Sequence, residues 1–345
     1  MMIPIIMNTS FVRLGEIDDY ISFIWSSRYY NTGDFELVIP VNAKNINLIK
    51  KDYYVLRDDD ENVGIIEDIV IIRDEELNET MKVTGRFLQS ILGRRIIAPQ
   101  TNCSGKLSNC IEALVNACLI NPAISARKVN NFIIEHTSFN DNIDTQFTGD
   151  NLLNKVSEIC MVYGVGFKVT MNSSNQFVFK LYKGEDRTYD QDENPWIIFS
   201  DQYDNLLSSQ YEECYEDIST AVWVAGEGDG LDRKTLWVSS GETGLGRYEV
   251  YKDARMIQSN GGEIPLSEYN KLLEASGKDS LTKYTTAFTG NVYFDNIKYR
   301  QDVFLGDMCV IENERWGIVV NSRLVEVIES VDETGNYSIL PTFGK

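Results

Sequence analysis

The sequence predicts a mainly β protein with an α+β insertion: two β-barrel domains, one toward each end of the chain, and a peripheral α/β module between them. Three observations predict it. Aromatic residues are plentiful, with 5 Trp, 18 Tyr and 15 Phe in 345 residues, and such side chains pack well on a pleated face. Both ends read as short runs of period-two alternation separated by turn residues, while helical spacing is confined to the middle and one later segment. The two ends also share a turn–strand–turn–strand grammar. At this length one core rarely serves the whole chain, so two or more domains are expected.

Taken in order, Met1 to Met7 is apolar but short. It lacks a basic flank and a small-residue cleavage site, so it reads as an early strand or docking arm rather than a leader. Ile21, Phe23 and Trp25 alternate with smaller or polar neighbours, as do Phe35, Leu37 and Ile39, which stop at Pro40. Tyr53 to Arg57 and Gly64 to Arg73 follow, broken by an acidic turn, Asp58 to Glu61. Met81 and Val83 then alternate up to Gly85. This series is antiparallel sheet, in a small barrel.

Beyond about residue 100 the period changes. Ile111, Leu114, Val115, Cys118 and Leu119 fall at helical spacing, with Ser108 as N-cap and Pro122 beyond the end. Asp150 caps a second helix carrying Leu152, Leu153, Val156, Ile159 and Cys160, and Gly164 ends it. Strands at Gly166 to Val169 and Phe177 to Leu181 are joined by a turn at Asn172 to Asn175. The charged loop Gly184 to Pro195 is the best boundary before the last part. There Ser267 caps a helix around Leu272 and Leu273 that ends near Gly277. Strands close the chain: Met308 to Ile311, Trp316 to Val320, Leu324 to Ile328 and Tyr337 to Leu340. The expected division is 1–100 for the first barrel, 101–195 for the inserted module and 196–345 for the second barrel with a helix-containing insertion.

The repeat aligns the turn before Gly64-Ile65 with the turn before Gly317-Ile318. It aligns the acidic turn Asp74 to Glu76 with Asp332-Glu333, and the closing Gly85 with Gly344. Two related β units in one chain give this pattern, although any two antiparallel meanders share some of it.

Charge and composition exclude several functions. The balance of 32 Lys+Arg against 52 Asp+Glu leaves −20, which opposes binding to phosphate backbones. No stretch approaches the ~20 apolar residues of a membrane span. His136 is the single histidine and lies in an apolar alternation, where it reads as a strand residue at a sheet edge. No GxSxG or HExxH occurs, and the six cysteines form no CxxC, so they read as buried free thiols. The glycine-rich stretches Gly226 to Gly230 and Gly241 to Gly246 match no phosphate loop and read as long hairpin loops. Calcium at Glu227, Asp229 and Asp232 is the lesser alternative. Carboxylate neighbours such as Glu212-Glu213 and Glu216-Asp217 are uninformative in so acidic a chain. Tyr211, Trp223 and Trp237 read as sheet packing, with a stacking platform for sugars as the alternative. No catalytic, cofactor or metal set is legible.

One set of residues points further. Near the C-terminus stand Tyr299, Asp302, Leu305-Gly306-Asp307, Val310, Gly317-Ile318, Arg323, Glu326-Val327, Asp332, Gly335, Pro341 and Phe343-Gly344. The N-terminal half holds Phe23-Ile24-Trp25, Arg28-Tyr29-Tyr30, Gly33-Asp34-Phe35-Glu36-Leu37, Gly64 to Glu67, Val83 to Leu88 and Leu92 to Arg95. In these runs the chain resembles the ReqiPepy-type siphophage minor tail protein family, a relative of phage baseplate and tail-tip hub proteins. The match covers about half the chain by eye. Carried over, Trp25, Gly33, Phe35, Gly64, Gly85, Arg86, Asp302, Gly306, Asp307, Gly317, Arg323 and Gly344 are structural positions of the family motif.

The resemblance implies tube-type barrels and a non-enzymatic hub in the tail of a phage, prophage or phage-derived bacteriocin. Three chains, each with two barrels, form a ring of six that continues the tail tube. Its implied partners are the tube or distal tail ring protein, the tape measure protein inside and receptor-binding proteins outside. DNA passes without specific binding, helped by acidic walls. The acids near Asp58 to Glu61 and at Asp332-Glu333 are candidates for that lining or for an outer rim. Synthesis is expected in the bacterial host cytoplasm and residence in the virion tail. Because the chain stops at Lys345, just past Gly344, a lysin or adsorption region is not expected. A cell-wall glycan or peptide hydrolase using carboxylates of the middle module, and a receptor-binding module, remain the alternatives.

Overall fold

The computed structural model describes residues 2–282, 285–292 and 297–344. Met1 and Lys345, the ends named above, lie outside them. The first part holds β1 (Ile5–Met7), β2 (Arg13–Glu16), β3 (Ser22–Arg28), β4 (Asp34–Pro40), a short helix α1 (Ala43–Leu48), β5 (Tyr54–Arg57), β6 (Asp60–Arg73) and β7 (Glu79–Phe87). The middle holds β8 (Thr101–Lys106), α2 (Leu107–Val115), β9 (Phe132–Glu135), β10 (Asn142–Phe147), α3 (Leu152–Tyr163), β11 (Gly166–Met171) and β12 (Phe177–Tyr182). The last part adds β13 (Ile198–Ser200), β14 (Leu206–Cys214), β15 (Ala221–Ala225), β16 (Thr235–Ser239), β17 (Glu249–Asp253) and α4 (Leu266–Lys278). It closes with β18 (Thr285–Val292), β19 (Met308–Asn313), β20 (Ile318–Val331) and β21 (Tyr337–Gly344).

The fold is mainly β, but the two ends of the chain do not close into separate barrels. They share one 13-stranded sheet in the order β14-β18-β21-β20-β3-β4-β7-β6-β5-β1-β2, with β19 beside β20 and β13 beside β19. Its path is open among the described residues. The reason lies in β20, which is 14 residues long. One edge pairs with β21, while the other pairs with β19 over Ile318 to Arg323 and then with β3 over Glu326 to Val331. A strand long enough for two partners on one side welds the units instead of sealing each one.

The repeat is real in three dimensions. The order β3-β4-β7-β6-β5 in the first unit reappears as β14-β18-β21-β20-β19 in the second, in the same chain order. Strands β6 and β20 both have 14 residues, and Asp60 falls on Ile318, Asp74 on Asp332 and Asn78 on Asn336, a constant shift of 258 positions. Register breaks fall at the same place, between Ile66 and Asp68 and between Leu324 and Glu326. The joining turns share their backbone bonds. Asp74 Oδ1 accepts from Glu76 N and Asn78 N at 2.9 and 2.8 Å, and Asp332 Oδ1 from Thr334 N and Asn336 N at 2.8 and 3.0 Å. Leu77 and Gly335 take the same left-handed conformation, φ 70° and 82°. The glycine alignment, however, is corrected: this register places Gly64 on Ser322, Gly85 on Phe343 and Arg86 on Gly344, while Gly317 precedes the strand.

Local expectations fare unevenly. Gly164 caps α3 in the left-handed region, as its position predicts. The N-caps are shifted: Asn151, not Asp150, accepts from Asn154 N; Ser108 lies buried inside the first turn of α2; and Pro265, not Ser267, precedes α4. Trp316 belongs to a short 3₁₀ turn before β20. The stretch 240–248 is not a hairpin loop, because β17 joins β15 in parallel on the edge away from β16.

Four apolar clusters underlie these layers. Trp25, Phe35, Leu37, Val83 and Phe87 centre the first unit, and Phe199, Leu324, Val327 and Phe343 the second. Helices α2 and α3 bury the apolar stripes of the insertion, among them Ile111, Leu114, Val156 and Cys160, against β11 and β12 and against Tyr29 and Leu88 of the first part. The small sheet β16-β15-β17 packs Val222 and Val224 on Tyr269 and Leu273 of α4.

Candidate functional site

Where β20 meets β3, the alternation Val327, Glu329, Val331 points a carboxylate inward. Glu329 and Arg57 have side chains 1 % and 0 % exposed and meet through two bonds of 3.1 and 3.2 Å. Arg300 also clasps Glu329 and reaches Asp60, which accepts from Trp25 Nε1 at 2.8 Å; Tyr337 donates to Glu329 at 2.8 Å. Burial opposes ionisation of Glu329, but the Arg57 and Arg300 charges outweigh it and hold its pKa below the ordinary range. For Asp60 burial is the larger effect and Arg300 offsets it only in part, so its pKa is raised. This network ties the first unit (Trp25, Arg57, Asp60) to the second (Arg300, Glu329, Tyr337). Asp60 is therefore a buried tie and not a lining acid, whereas Asp58 and Asp332 are exposed in turns.

A second knot lies beside it. Tyr29 stands fully buried between the first part, the insertion and the second unit, its hydroxyl donating to Tyr182 O at 3.2 Å. Gly306, with φ 101°, lies flat on this ring, where a Cβ would come within 2.3 Å of Tyr29 Cε2. Arg323 covers the ring at 5.3 Å and donates to Gly306 O. Asp307 accepts from Arg187 Nε at 2.8 Å, Glu185 N at 2.9 Å and Phe304 N at 3.0 Å. Gly306, Asp307 and Arg323 thus meet at one point.

The other motif positions serve the sheet. Trp25 and Phe35 lie in the first core; Gly64 leaves room for the Phe35 ring, since a Cβ would fall 2.5 Å from it, and Gly85 leaves room first for the β6 backbone, where a Cβ would fall 1.8 Å from Ile65 O and 2.9 Å from the ring. Gly33 abuts Phe87 in the same way. Arg86 makes an exposed two-bond pair with Glu67 at 2.7 and 2.8 Å. Asp302 accepts from Lys298 N, Gly317 ends the short turn before β20, and Gly344 lies opposite Arg323. Arg57, Arg187, Arg300 and Glu329 carry both knots, and sequence reading singles out none of them. A carboxylate in the apolar phase of β20 is the available signal.

A cleft of about 430 Å³ opens beside the network. Its carboxylates are engaged, Asp60 with Arg300 and Glu61 with Lys168. In the insertion, Glu112 holds His136 Nδ1 at 2.7 Å, Glu135 holds Lys180 and Glu158 holds Lys155. His136 lies just past β9 with an exposed ring, rather than within the strand. Glu227 is bound by Lys234 and Ser259, which overcome its desolvation and bring its pKa down to about 2. Cys103, Cys110, Cys118, Cys160 and Cys309 are buried free thiols, and Cys214 is half-buried. Burial pushes Cys103 up to about 12.

One aromatic expectation is overturned. Trp223 and Trp237 are 42 % and 50 % exposed, stacked across β15 and β16 at 6.3 Å with Tyr251 beside them. The helix α4 occupies the opposite face of that sheet, so the aromatic face turns to solvent. Tyr211 is partly buried on the second core.

No helix is long and apolar enough to cross a membrane among the described residues. No curated protein sequence matches the chain. Among solved structures, it is similar to a tail protein from Neisseria meningitidis MC58, with TM-score 0.59 and 14% identity over 100% of this chain and 96% of that one. It is similar to the 43 kDa tail protein of prophage MuSo2 from Shewanella oneidensis, with TM-score 0.59 and 14% identity over 99% and 98%. It is also similar to prophage tail protein gp18 from Listeria monocytogenes EGD-e, with TM-score 0.55 and 15% identity over 99% and 94%. At such identities the likeness is one of fold. The model of the Siphovirus ReqiPepy6 Gp37-like protein family matches residues 3–345, and the chain belongs to that phage tail family.

Proposed function

We propose that the protein is a non-enzymatic structural hub at the distal end of a phage tail, three copies of which form a ring that continues the tail tube. The observation that carries this reading is the pair of topologically identical units welded edge to edge by β20 and β3. With two equivalent units in each chain, three copies supply the six units of such a ring. The buried Arg57–Glu329–Arg300–Asp60 network fixes the angle between the units, a use of buried charge for geometry rather than for net stability. Tube or ring proteins above, the tape measure within and receptor-binding proteins outside are its partners, and its place is the virion tail.

The polar face of the shared sheet suits passage of DNA. Its cations are engaged by carboxylates: Arg28 by Asp34 and Glu326, Lys82 by Glu36, and Arg86 by Glu67. Cations held in this way offer phosphates little to grip. Analytical ultracentrifugation with negative-stain imaging tests the reading: a three-copy ring with a central opening is expected, and a compact monomer at high concentration contradicts it. The exposed Trp223, Trp237 and Tyr251 favour a second role for the small sheet, contact with a glycan or receptor. Binding on a glycan array that Trp223→Ala abolishes would support that role, and silence on the array would dismiss it.

A further inference from the structure

The two units differ at one edge. On β20, the half Glu326 to Val331 is covered by β3, and Val327, Glu329 and Val331 are 0 %, 1 % and 7 % exposed. The same half of β6, shifted by 258 positions, is Asp68 to Arg73. There β5 has already ended its pairing, and Val70, Ile71 and Ile72 are 42 %, 55 % and 50 % exposed. A run of Ile69-Val70-Ile71-Ile72 on a sheet edge is an open template for another strand. The counterpart of β3 is β14, which ends the sheet's path and pairs with β18.

We propose that the edge Asp68–Arg73 of β6 takes up β14 of a second copy, as β20 takes up β3 within one chain. The proposal rests on the ring reading for closure, but its register comes from the fold alone. Trp25 lies opposite Phe35, which lies opposite Gly85; Tyr211 lies opposite Phe288, which lies opposite Phe343. Since Gly85 falls on Phe343, Trp25 falls on Tyr211 and Arg28 on Cys214. Glu329 faces Trp25 and Glu326 faces Arg28 in the existing junction. In the new one, Ile71 faces Tyr211 and Asp68 faces Cys214. The first is an aromatic and β-branched cross-strand pair. The second matters for testing, because the side chains of Glu326 and Arg28 touch at 2.6 Å.

The native Cys214 supplies half of a cross-link. Paired residues in an antiparallel sheet have Cα atoms about 4.5–5.5 Å apart, which a disulfide spans. Asp68→Cys in the full chain, under mild oxidation, is expected to give covalent multimers on a non-reducing gel. Asp68→Cys with Cys214→Ser gives none, and neither does Ile71→Cys alone, which stands three residues or about 10 Å out of register with Cys214. Ile71→Lys, on an exposed position that the monomer fold does not need, weakens self-association by about tenfold or more in ultracentrifugation. An assembled ring in which Asp68→Cys does not cross-link overturns this pairing and leaves the ring reading intact. A chain that stays monomeric and unlinked at high concentration overturns both.

Discussion

Val327, Glu329 and Val331 of β20 are buried under β3, while of their counterparts in β6 Ile69 is half-buried against the first core and Ile71 and Arg73 face solvent. The two hairpins share the length of their first strand, bulge position and turn backbone, yet the covered one has Glu329 where the open one has Ile71, within four consecutive β-branched residues. Burial therefore follows from the neighbour and not from the strand. Where the neighbour is in the same chain, an ion network locks the junction. At the open edge, the proposed second copy would meet apolar side chains, a contact that forms without stranding a charge in the free monomer.

The sharpest way to break this comparison is to substitute both members of one equivalent pair. Glu329→Ala leaves Arg57 and Arg300 without their shared carboxylate and is expected to cost about 3–5 kcal/mol, read by denaturant unfolding. Ile71→Ala at the matching position should stay within about 0.5 kcal/mol in the monomer. Equal losses at both sites would mean that β6 is already covered. A smaller effect tests the packing of the first unit: Gly85→Ala pushes a methyl group to 1.8 Å from Ile65 O and 2.9 Å from Phe35. The loss should be about 3 kcal/mol, because a backbone carbonyl has to move, and Phe35→Leu in the same chain should recover little of it. Full stability in Gly85→Ala would contradict the close approach.

The turns sharpen the comparison from the other side. Leu77 holds a left-handed φ of 70° with its side chain 66 % exposed, where the equivalent turn has Gly335. Leu77→Gly should thus stabilise by about 1 kcal/mol, and Gly335→Leu should destabilise by a similar amount. The weakest effect is on pH dependence. Hydrogen bonds, from Asn78 first for Asp74 and from Thr334 first for Asp332, lower both pKa values below the ordinary 3.8. A carboxyl depressed in the folded state adds stability above its unfolded pKa, and that stability is lost as pH falls through the folded value. Asp74→Asn and Asp332→Asn should each flatten the acid side of the stability curve slightly. A change in only one would show that the turns are not equivalent.

The strands, the three larger helices and the presence of a repeat are legible in the sequence because alternation and turn residues report directly on the backbone. The register of the repeat is not, because its glycines answer to different demands: Gly64 makes way for Phe35, while Gly317 closes a turn. Glu329 is readable as a charge in an apolar phase, but its partners lie 272 positions away at Arg57 and 29 away at Arg300, beyond any spacing rule. The solvent-facing Trp223 and Trp237 escape sequence reading for another reason. Both faces of β15 carry large side chains, and only α4 decides which one is buried.

The most direct test of the ring account is cryo-electron microscopy of the purified chain, with its mass measured in parallel. The account predicts three copies in a closed ring of six units, with β6 of each copy continuing into β14 of the next at Ile71 and Tyr211. A monomer at high concentration would contradict it, while a closed ring in which the Asp68–Arg73 edge faces solvent would contradict the β6–β14 pairing alone.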